Sequence, residues 1–404
     1  MGDPPKFSDS LKKGLVYCYT TSTVVMLGYI LGVSFLRESP LTGHVFGHRS
    51  ERFANWDGQW YIKIIEMGYD YDERTHSSVA FFPVFPLMGR MVSLATGLDP
   101  GYALLVAANL ALAATFVLTH RYMSVRSVAE PAGVAAEYVL IALGFLPTTF
   151  FFRMAYSEAV FLLVSVGTLY AMERHWPDWS VALLAGLATA TRPVGLAFVP
   201  ALAVHLYGSS PRLARFARRF VLAIPLSCWG LAAYTTYLAA RFGEPLAFLK
   251  TQVHWRERNP ESFLQKLGAL VSLEPIRCLF DPSLYAYWGK YEDNHFPLLS
   301  LHVADSFVFL MAIGCLIVGI VKRWLTSREA TLMAFLLIIP YYTSGYETYM
   351  RSMARYASAA LPLYIVLGLL LSRVRGPIVG CAIGICGFLL GTYTAFFAAW
   401  YKFM

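Results

Sequence analysis

The sequence predicts an all-α polytopic membrane protein that forms one transmembrane domain over residues 1–404 and crosses the bilayer about eleven times. Hydrophobic residues make up 57% of the chain and charged residues only 14%, and the mean hydropathy is +0.52. The apolar residues lie in runs close to the length of a membrane-spanning helix. Lys and Arg lie between these runs, so the net charge of +8 indicates topology-setting turns and excludes a nucleic-acid-binding domain.

The predicted spans follow one another along the whole chain. They cover residues 14–36, 101–120, 133–152, 156–173, 179–191, 193–207, 219–241, 299–321, 329–345, 355–372 and 377–399. The fifth and sixth are short for a bilayer and are separated only by Arg192 and Pro193. Because proline interrupts helical hydrogen bonding, these two segments form either two spans or one broken helix.

The distribution of Lys and Arg predicts a cytoplasmic N-terminus, because short cytoplasmic turns are rich in these residues. The turns then placed inside hold Lys6, Lys12, Lys13, Arg121, Arg126, Arg174, Arg212, Arg215, Arg218, Arg219, Lys322, Arg323, Arg328, Arg373 and Arg375. Two long loops, 37–100 and 242–298, lie outside in this topology. Within the first loop, residues 51–67 and 81–95 are predicted to form short interfacial helices.

The first external loop carries a candidate catalytic carboxylate, Asp57, between Trp56, Gln59 and Trp60. An aspartate beside aromatic rings can act as a general base on a hydroxyl, and the rings can bind a sugar. Alternatively, Asp57 caps a helix that begins near Gly58. Both interpretations remain open from the residues alone.

Charged residues also occur at the ends of apolar segments, where charge is costly and often functional. Tyr156 and Glu158 precede the fourth span, where the alternative is an ordinary helix start. Arg192 needs a partner, either a lipid phosphate or Glu158. Arg355 and Tyr356 begin the tenth span, where the alternative is an arginine that snorkels to the interface.

The second external loop contains a basic aromatic cluster and dispersed acids. The cluster is His254, Trp255, Arg256 and Arg258. Its pattern is typical of a solvated loop surface, which is the interpretation we favour for it.

Four separated blocks together resemble a known family. They are FANWDGQWYIKIIEMGYDYD with AFFPVFPL, LPTTFFFRMAYSEAVFLL, LATATRPVGL and SMARYASAALPLY. In this order they resemble the PIG-V family of mannosyltransferases, multi-spanning enzymes of the GT-C class. Eukaryotic members add the second mannose of the glycosylphosphatidylinositol anchor at the endoplasmic reticulum. Since this chain is compact, we expect a bacterial relative in the plasma membrane.

The resemblance implies a GT-C fold, Asp57 as the acidic residue of the first external loop, and a polyprenyl- or dolichyl-phosphate sugar as donor. We expect Asp57 to deprotonate an acceptor hydroxyl in an inverting hexosyl transfer on the non-cytoplasmic side. Arg355, Tyr356 and Arg192 are predicted at the donor phosphate. The residues predicted at the sugar or at the lipid or glycan acceptor are Trp56, Gln59, Trp60, Tyr156 and Glu158.

We expect no metal and no cofactor. A phosphate monoester is a stable leaving group, so fixed positive charge is sufficient to stabilise its departure. The six cysteines include no C-x-x-C pair, and neither a disulfide framework nor a zinc site is predicted.

Two other classes of function compete with this prediction. A transporter or lipid flippase also suits charged residues and a broken helix within the membrane, but it favours internal repeats that the sequence lacks. A non-catalytic membrane scaffold would use the long loops to bind partners.

Overall fold

The computed structural model describes residues 6–38, 52–126, 132–210, 212–278, 280–284, 287 and 301–401. Over these residues the chain is helical and has no β-strand, which confirms the predicted all-α class. Among the described residues, four helices are long and apolar enough to cross a membrane, or up to six spans result if each of two bent helix pairs is one span. The chain is an integral membrane protein, and the number of eleven spans stays a prediction.

The first helices of the chain include both predicted interfacial pieces. They are α1 (Phe7–Phe35), α2 (Asp57–Met67), α3 (Val84–Thr96), α4 (Pro100–Val125), α5 (Ala132–Phe145), α6 (Glu158–Glu173), α7 (Asp178–Thr191), α8 (Phe198–Gly208), α9 (Leu213–Ser227) and α10 (Trp229–Phe242). Helices α2 and α3 lie in the first long loop, of which residues 39–51 are outside the described residues. After α5 the chain bends by 80° into a 3-10 helix, Pro147–Arg153.

The later helices begin in the second long loop. They are α11 (Ala247–Lys250), α12 (Phe263–Val271), α13 (Glu274–Arg277), α14 (Leu301–Val321), α15 (Ser327–Pro340), α16 (Met353–Ser358), α17 (Leu361–Leu371) and α18 (Gly376–Ala398). Residues 288–300 lie outside the described residues. The predicted tenth span is interrupted between α16 and α17, because Pro362 at the start of α17 lacks the N–H that a continuous helix needs.

Helices α7 and α8 form a hairpin, so the alternative of one broken helix is wrong. The chain reverses at Arg192, whose extended backbone separates α7 from the 3-10 helix that leads into α8. Arg219 connects the start of α7 to the end of α8. Its Nε lies 2.6 Å from the Asp178 carboxylate at the start of α7, and its Nη1 lies 2.8 Å from Ser210 Oγ just after α8. Arg192 is therefore at the tip of the hairpin.

Ion pairs join the basic turns that were predicted on one side of the membrane. Arg126 Nε lies 2.6 Å from the buried Glu329 carboxylate, and Arg328 pairs with Glu173. Glu173 ends α6, and Glu158 begins it. The basic turns thus share one end of the helical bundle, and the start of α6 lies at the other end.

Small residues allow close helix packing in this bundle. A Cβ added to Gly28 of α1 would lie 2.3 Å from the carbonyl oxygen of Gly391 in α18. The two backbones are therefore in direct contact, as is common where transmembrane helices pack through glycine.

Candidate active site

A cavity with an empty volume of about 990 Å³ opens at the end of the bundle that contains the start of α6. Side chains of the first loop, the second loop and the starts of α6 and α16 line it, together with the tip of the α7–α8 hairpin. Its wall combines aromatic rings with several charged groups. Aromatic walls with a few convergent charged groups are typical of a small-molecule site.

The start of α2 carries Asp57 into this cavity. Trp56, the residue before the helix, has a φ of 58°, a backbone conformation that costs a non-glycine residue roughly 1–3 kcal/mol. Gly58 permits a close approach to the neighbouring segment, since an added Cβ would lie 3.4 Å from Ala155 O and 3.0 Å from Ala54 Cβ. The local backbone is thus held in a strained form that orients Asp57.

Asp57 pairs with an arginine nearly three hundred residues later. Arg355 Nη1 donates to Asp57 Oδ2 over 2.6 Å, and only 7% of Arg355 is exposed. A snorkelling Arg355 is therefore wrong. The capping alternative for Asp57 is wrong too, because Trp56 occupies the N-cap position and the carboxylate is bound by Arg355.

Glu158 is shared by two arginines. It is 1% exposed, pairs with Arg192, and lies 3.0 Å from Arg355 Nε through Oε1. Of the two partners considered for Arg192, the structure contains Glu158. We call Asp57, Glu158, Arg192 and Arg355 the charge quartet, whose formal charge sums to zero. Such buried charges are tolerated only when they remain paired.

Two tyrosines pack against the arginines of the quartet. The Tyr156 ring lies 5.2 Å from Arg355 Cζ, and the Tyr356 ring lies 4.9 Å from Arg192 Cζ. Both rings line the cavity and hold the guanidinium groups by cation–π attraction. The Tyr156 hydroxyl donates to Asn55 O over 2.9 Å, so this residue also fixes the segment before Asp57.

Three predicted residues do not line the cavity. Gln59 is buried within α2. The Trp56 ring packs 5.8 Å from the Trp400 ring. Trp60 lies behind the wall, with its ring 5.7 Å from that of Phe81, which does line it. Their predicted sugar contacts stay predictions.

The cavity wall also contains residues that the sequence prediction did not include. Tyr61 lies one turn after Asp57 on α2, and Trp255 comes from the cluster predicted as a solvated loop surface. Arg351 adds a third guanidinium and pairs with Glu257 of the second loop. The helical i, i+4 spacing was the available signal for Tyr61.

Asp305 of α14 holds the segment that presents Arg355. Its carboxylate accepts the backbone N–H of Ser352 over 2.9 Å and of Ala354 over 2.8 Å. Just before α16, Tyr349, Met350 and Ser352 all have positive φ angles of 50–69°, which are costly for non-glycine residues. Asp305 therefore stabilises a strained turn at the edge of the site.

The prediction of metal independence also assumed that the chain has no Asp-X-Asp triplet, which is wrong because Asp70-Tyr71-Asp72 is one. Asp70 lies 2.8 Å from Lys63 Nζ and accepts from Ser78. Burial opposes ionisation of Asp70, but the Lys63 ammonium and the Ser78 hydrogen bonds together lower its pKa. Asp72 accepts from the backbone of Arg74 over 2.8 Å. Both carboxylates stabilise the loop fold, and metal independence stays a prediction.

The arrangement combines a carboxylate with several guanidinium groups in an aromatic cavity. A carboxylate at hydrogen-bond distance from a hydroxyl can remove its proton. Guanidinium groups bind phosphate oxygens in a bidentate manner. The cavity therefore has the groups needed for base catalysis next to a bound phosphate.

Comparison with known proteins gives one family match. The family model described as Mannosyltransferase (PIG-V) matches residues 15–249. No curated protein matches the chain.

Among solved structures, the chain is similar to ArnT of Cupriavidus metallidurans bound to undecaprenyl phosphate. The identity is 13% and the TM-score 0.48, over 91% of this chain and 62% of ArnT. It is also similar to the oligosaccharyltransferase AglB of Archaeoglobus fulgidus in complex with an inhibitory peptide and a dolichol-phosphate. Here the identity is 14% and the TM-score 0.40, over 95% of this chain and 56% of AglB. In these two comparisons the chain spans less than two thirds of the length of the matched protein.

Proposed function

The chain belongs to the mannosyltransferase (PIG-V) family, whose model matches more than half of its residues, and on this premise we propose that it transfers mannose from a polyprenyl- or dolichyl-phosphate donor to a hydroxyl of a lipid or glycan acceptor. The observation that carries the proposal is the pairing of Asp57 with Arg355 in the cavity. Family membership favours this enzyme, of the GT-C class, over a transporter, a flippase or a scaffold.

The resting pair must open before reaction. While Arg355 binds Asp57, the Oδ2 atom of Asp57 accepts the guanidinium hydrogen bond and is not available to an acceptor hydroxyl. A donor phosphate offers Arg355 two oxygens for a bidentate contact in place of the one Asp57 oxygen that it now binds. Donor binding thus releases Asp57 toward the acceptor, so that the base becomes active only when the donor is present.

The transfer is a single displacement. Asp57 takes the proton of the acceptor hydroxyl, and the acceptor oxygen forms a bond to the anomeric carbon. The bond from that carbon to the phosphate oxygen breaks, and its electron pair stays with the polyprenyl phosphate. Attack from the face opposite the phosphate inverts the anomeric configuration.

Arg355 and Arg192 stabilise the leaving phosphate, where negative charge develops. Their positions are fixed in advance by Glu158 and by the rings of Tyr156 and Tyr356. Fixed charge of this kind replaces the divalent metal that a nucleotide-diphosphate leaving group commonly needs. We therefore propose a reaction without metal or cofactor.

We also propose that the cavity faces the non-cytoplasmic side and that the N-terminus is cytoplasmic. The basic turns lie at the opposite end of α6 from the cavity, and basic turns favour the cytoplasm. In a bacterial plasma membrane the donor and acceptor would then meet on the outer surface, and in an endoplasmic reticulum membrane they would meet on the lumenal surface.

A transfer assay tests the proposal. Purified protein is mixed with radiolabelled polyprenyl-phosphate mannose and a membrane lipid extract, with or without EDTA. We expect transfer that is insensitive to EDTA, absent with GDP-mannose, and yields a product of inverted anomeric configuration on mannosidase digestion. Lack of transfer from any lipid-phosphate sugar would contradict the proposal, and loss of transfer in EDTA would contradict metal independence alone.

Asp305 gives a second prediction, since it holds the turn before Arg355. We expect Asp305→Ala to lower kcat/KM for transfer by roughly 10²-fold, because small displacements of a binding group have effects of this size. Asp305→Asn keeps one acceptor oxygen and should retain part of the activity. Transfer kinetics, with thermal unfolding as the control, would distinguish a displaced Arg355 from general destabilisation of the protein. Equal activity of Asp305→Ala and wild type would exclude a positioning role.

A further inference from the structure

One buried arginine outside the charge quartet has no acidic partner. Arg153 ends the 3-10 helix Pro147–Arg153 and is 3% exposed. Its guanidinium forms no ion pair with any carboxylate of the residues that the structure describes. A buried charge is costly unless it is paired, and charged side chains inside membrane proteins commonly have a function. The mechanism proposed above does not use Arg153.

All three nitrogen atoms of this guanidinium bind neutral oxygen atoms instead. Nε donates to Ser22 Oγ over 3.0 Å, Nη2 donates to Thr21 Oγ1, and Nη1 donates to Thr149 O over 3.2 Å. Thr21 and Ser22 belong to α1. The backbone carbonyl of Arg153 accepts from the side chain of Asn109 in α4 over 3.1 Å. Arg153 thus anchors the end of the 3-10 helix to two other helices.

The segment that follows this anchor contacts the surroundings of both members of the resting pair, Asp57 and Arg355. The backbone N–H of Ala155 donates to Phe53 O, four residues before Asp57, over 3.1 Å. The ring of Tyr156 packs against Arg355. The segment lies between the 3-10 helix and α6, so its position depends on tertiary contacts rather than on the hydrogen bonds of a regular helix.

We propose that Arg153 is a positioning residue for mannose transfer, an inference that rests on the proposed function. It does not line the cavity, so it acts through the segment that it anchors and not by contact with a substrate. The shape of the guanidinium matters for this task, because its donors are spread over three nitrogen atoms whereas lysine has one. The fold therefore keeps a charge that is costly to bury because that charge fixes the geometry of the site.

The variant Arg153→Met tests the inference, because methionine fills the space flexibly without a charge. The hydroxyls of Thr21 and Ser22 also donate to carbonyl oxygens of α1 over 2.9 and 2.7 Å, so both keep a partner in the variant. We expect a midpoint of thermal unfolding in detergent at or above that of wild type. We expect kcat/KM for transfer to fall by roughly 10²-fold.

A merely structural arginine would give the opposite pattern, and Arg219→Met is the matched control that should show it. Arg219 pairs with Asp178 at the open end of the α7–α8 hairpin, away from the cavity. Its replacement should lower the unfolding midpoint and leave transfer per folded molecule unchanged. A lower midpoint in Arg153→Met, with normal transfer per folded molecule, would overturn the inference.

The variant Arg153→Lys separates charge from geometry. Lysine keeps the positive charge but loses the planar fork, so transfer should be as slow as in Arg153→Met. Transfer at the wild-type rate would show that the charge alone is sufficient, and it would overturn the inference.

Hydrogen–deuterium exchange gives a readout that needs no turnover. In Arg153→Met, the backbone amides of residues 53–57 and 154–158 should exchange roughly tenfold faster than in wild type, because the segment has lost its anchor. Unchanged exchange in the variant would overturn the inference even if transfer were slow. Faster exchange in a protein whose wild type transfers no mannose would support the anchor and contradict the proposed function.

Discussion

Replacement of Asp57 by Asn should reduce mannose transfer by roughly 10²–10⁴-fold, the range over which a general base contributes. Asparagine keeps the size of the side chain and can still accept the hydrogen bond that Arg355 donates, but it cannot take a proton from the acceptor. The fold should survive, because Glu158 continues to compensate Arg355. Initial rates from labelled lipid-phosphate mannose would measure the effect.

Asp72→Asn is the matched control for this substitution. Asp72 belongs to the same loop and is exposed, and it does not line the cavity. Its variant should transfer mannose at the wild-type rate. A near-normal transfer rate for Asp57→Asn would exclude Asp57 as the base. An equal loss of transfer in both variants would indicate damage to the loop.

Glu158→Gln should cause the largest loss of stability. Removing one partner of a buried ion pair typically costs about 3–5 kcal/mol, and here one carboxylate compensates Arg192 and also contacts Arg355. The midpoint of thermal unfolding in detergent should fall clearly below that of wild type. Transfer should also fall, because Arg192 loses its charged partner and Arg355 loses one of its two.

A double substitution separates charge from packing in this prediction. Adding Arg192→Gln to Glu158→Gln removes the guanidinium that lost its main partner, so the double variant should be less destabilised than the sum of the two single variants. Independent, additive losses would show that Glu158 stabilises the fold by means other than its pairing with Arg192.

The apolar runs predicted most of the helices. The run at 101–120 became α4 (Pro100–Val125), and the run at 377–399 became α18 (Gly376–Ala398). Hydropathy defines where a helix is apolar, but it contains no information on how neighbouring helices are arranged. The sequence therefore could not show whether the chain reverses at Arg192 or continues as one broken helix. The contacts of Arg219 with Asp178 and Ser210 show that it reverses.

The candidate site was predictable in part. Glu158 was one of two partners considered for Arg192, while Asp57 and Arg355 were chosen separately, and the structure brings all four together. Sequence alone did not show that Arg355 binds Asp57, because this contact is made between distant segments.

The aromatic residues near Asp57 were harder to predict because the register of α2 decides which of them reach the cavity. With α2 beginning at Asp57, Tyr61 lies on the same face of the helix, whereas Gln59 lies on another. Trp60 also follows Asp57 at helical spacing, but its ring packs against Phe81 of the cavity wall. Trp255 enters from the second loop, and Arg351 lies on a strained turn without periodicity.

Each of the four sequence blocks contributes one member of the charge quartet. Asp57 lies in the first block, Glu158 in the second, Arg192 in the third and Arg355 in the fourth. Since loss of any one member leaves the formal charge of the quartet unbalanced, we expect evolutionary change at these positions to be coupled. Among diverging relatives, loss of a carboxylate should be accompanied by loss of a guanidinium. The four positions should therefore co-vary, although they are far apart in the sequence.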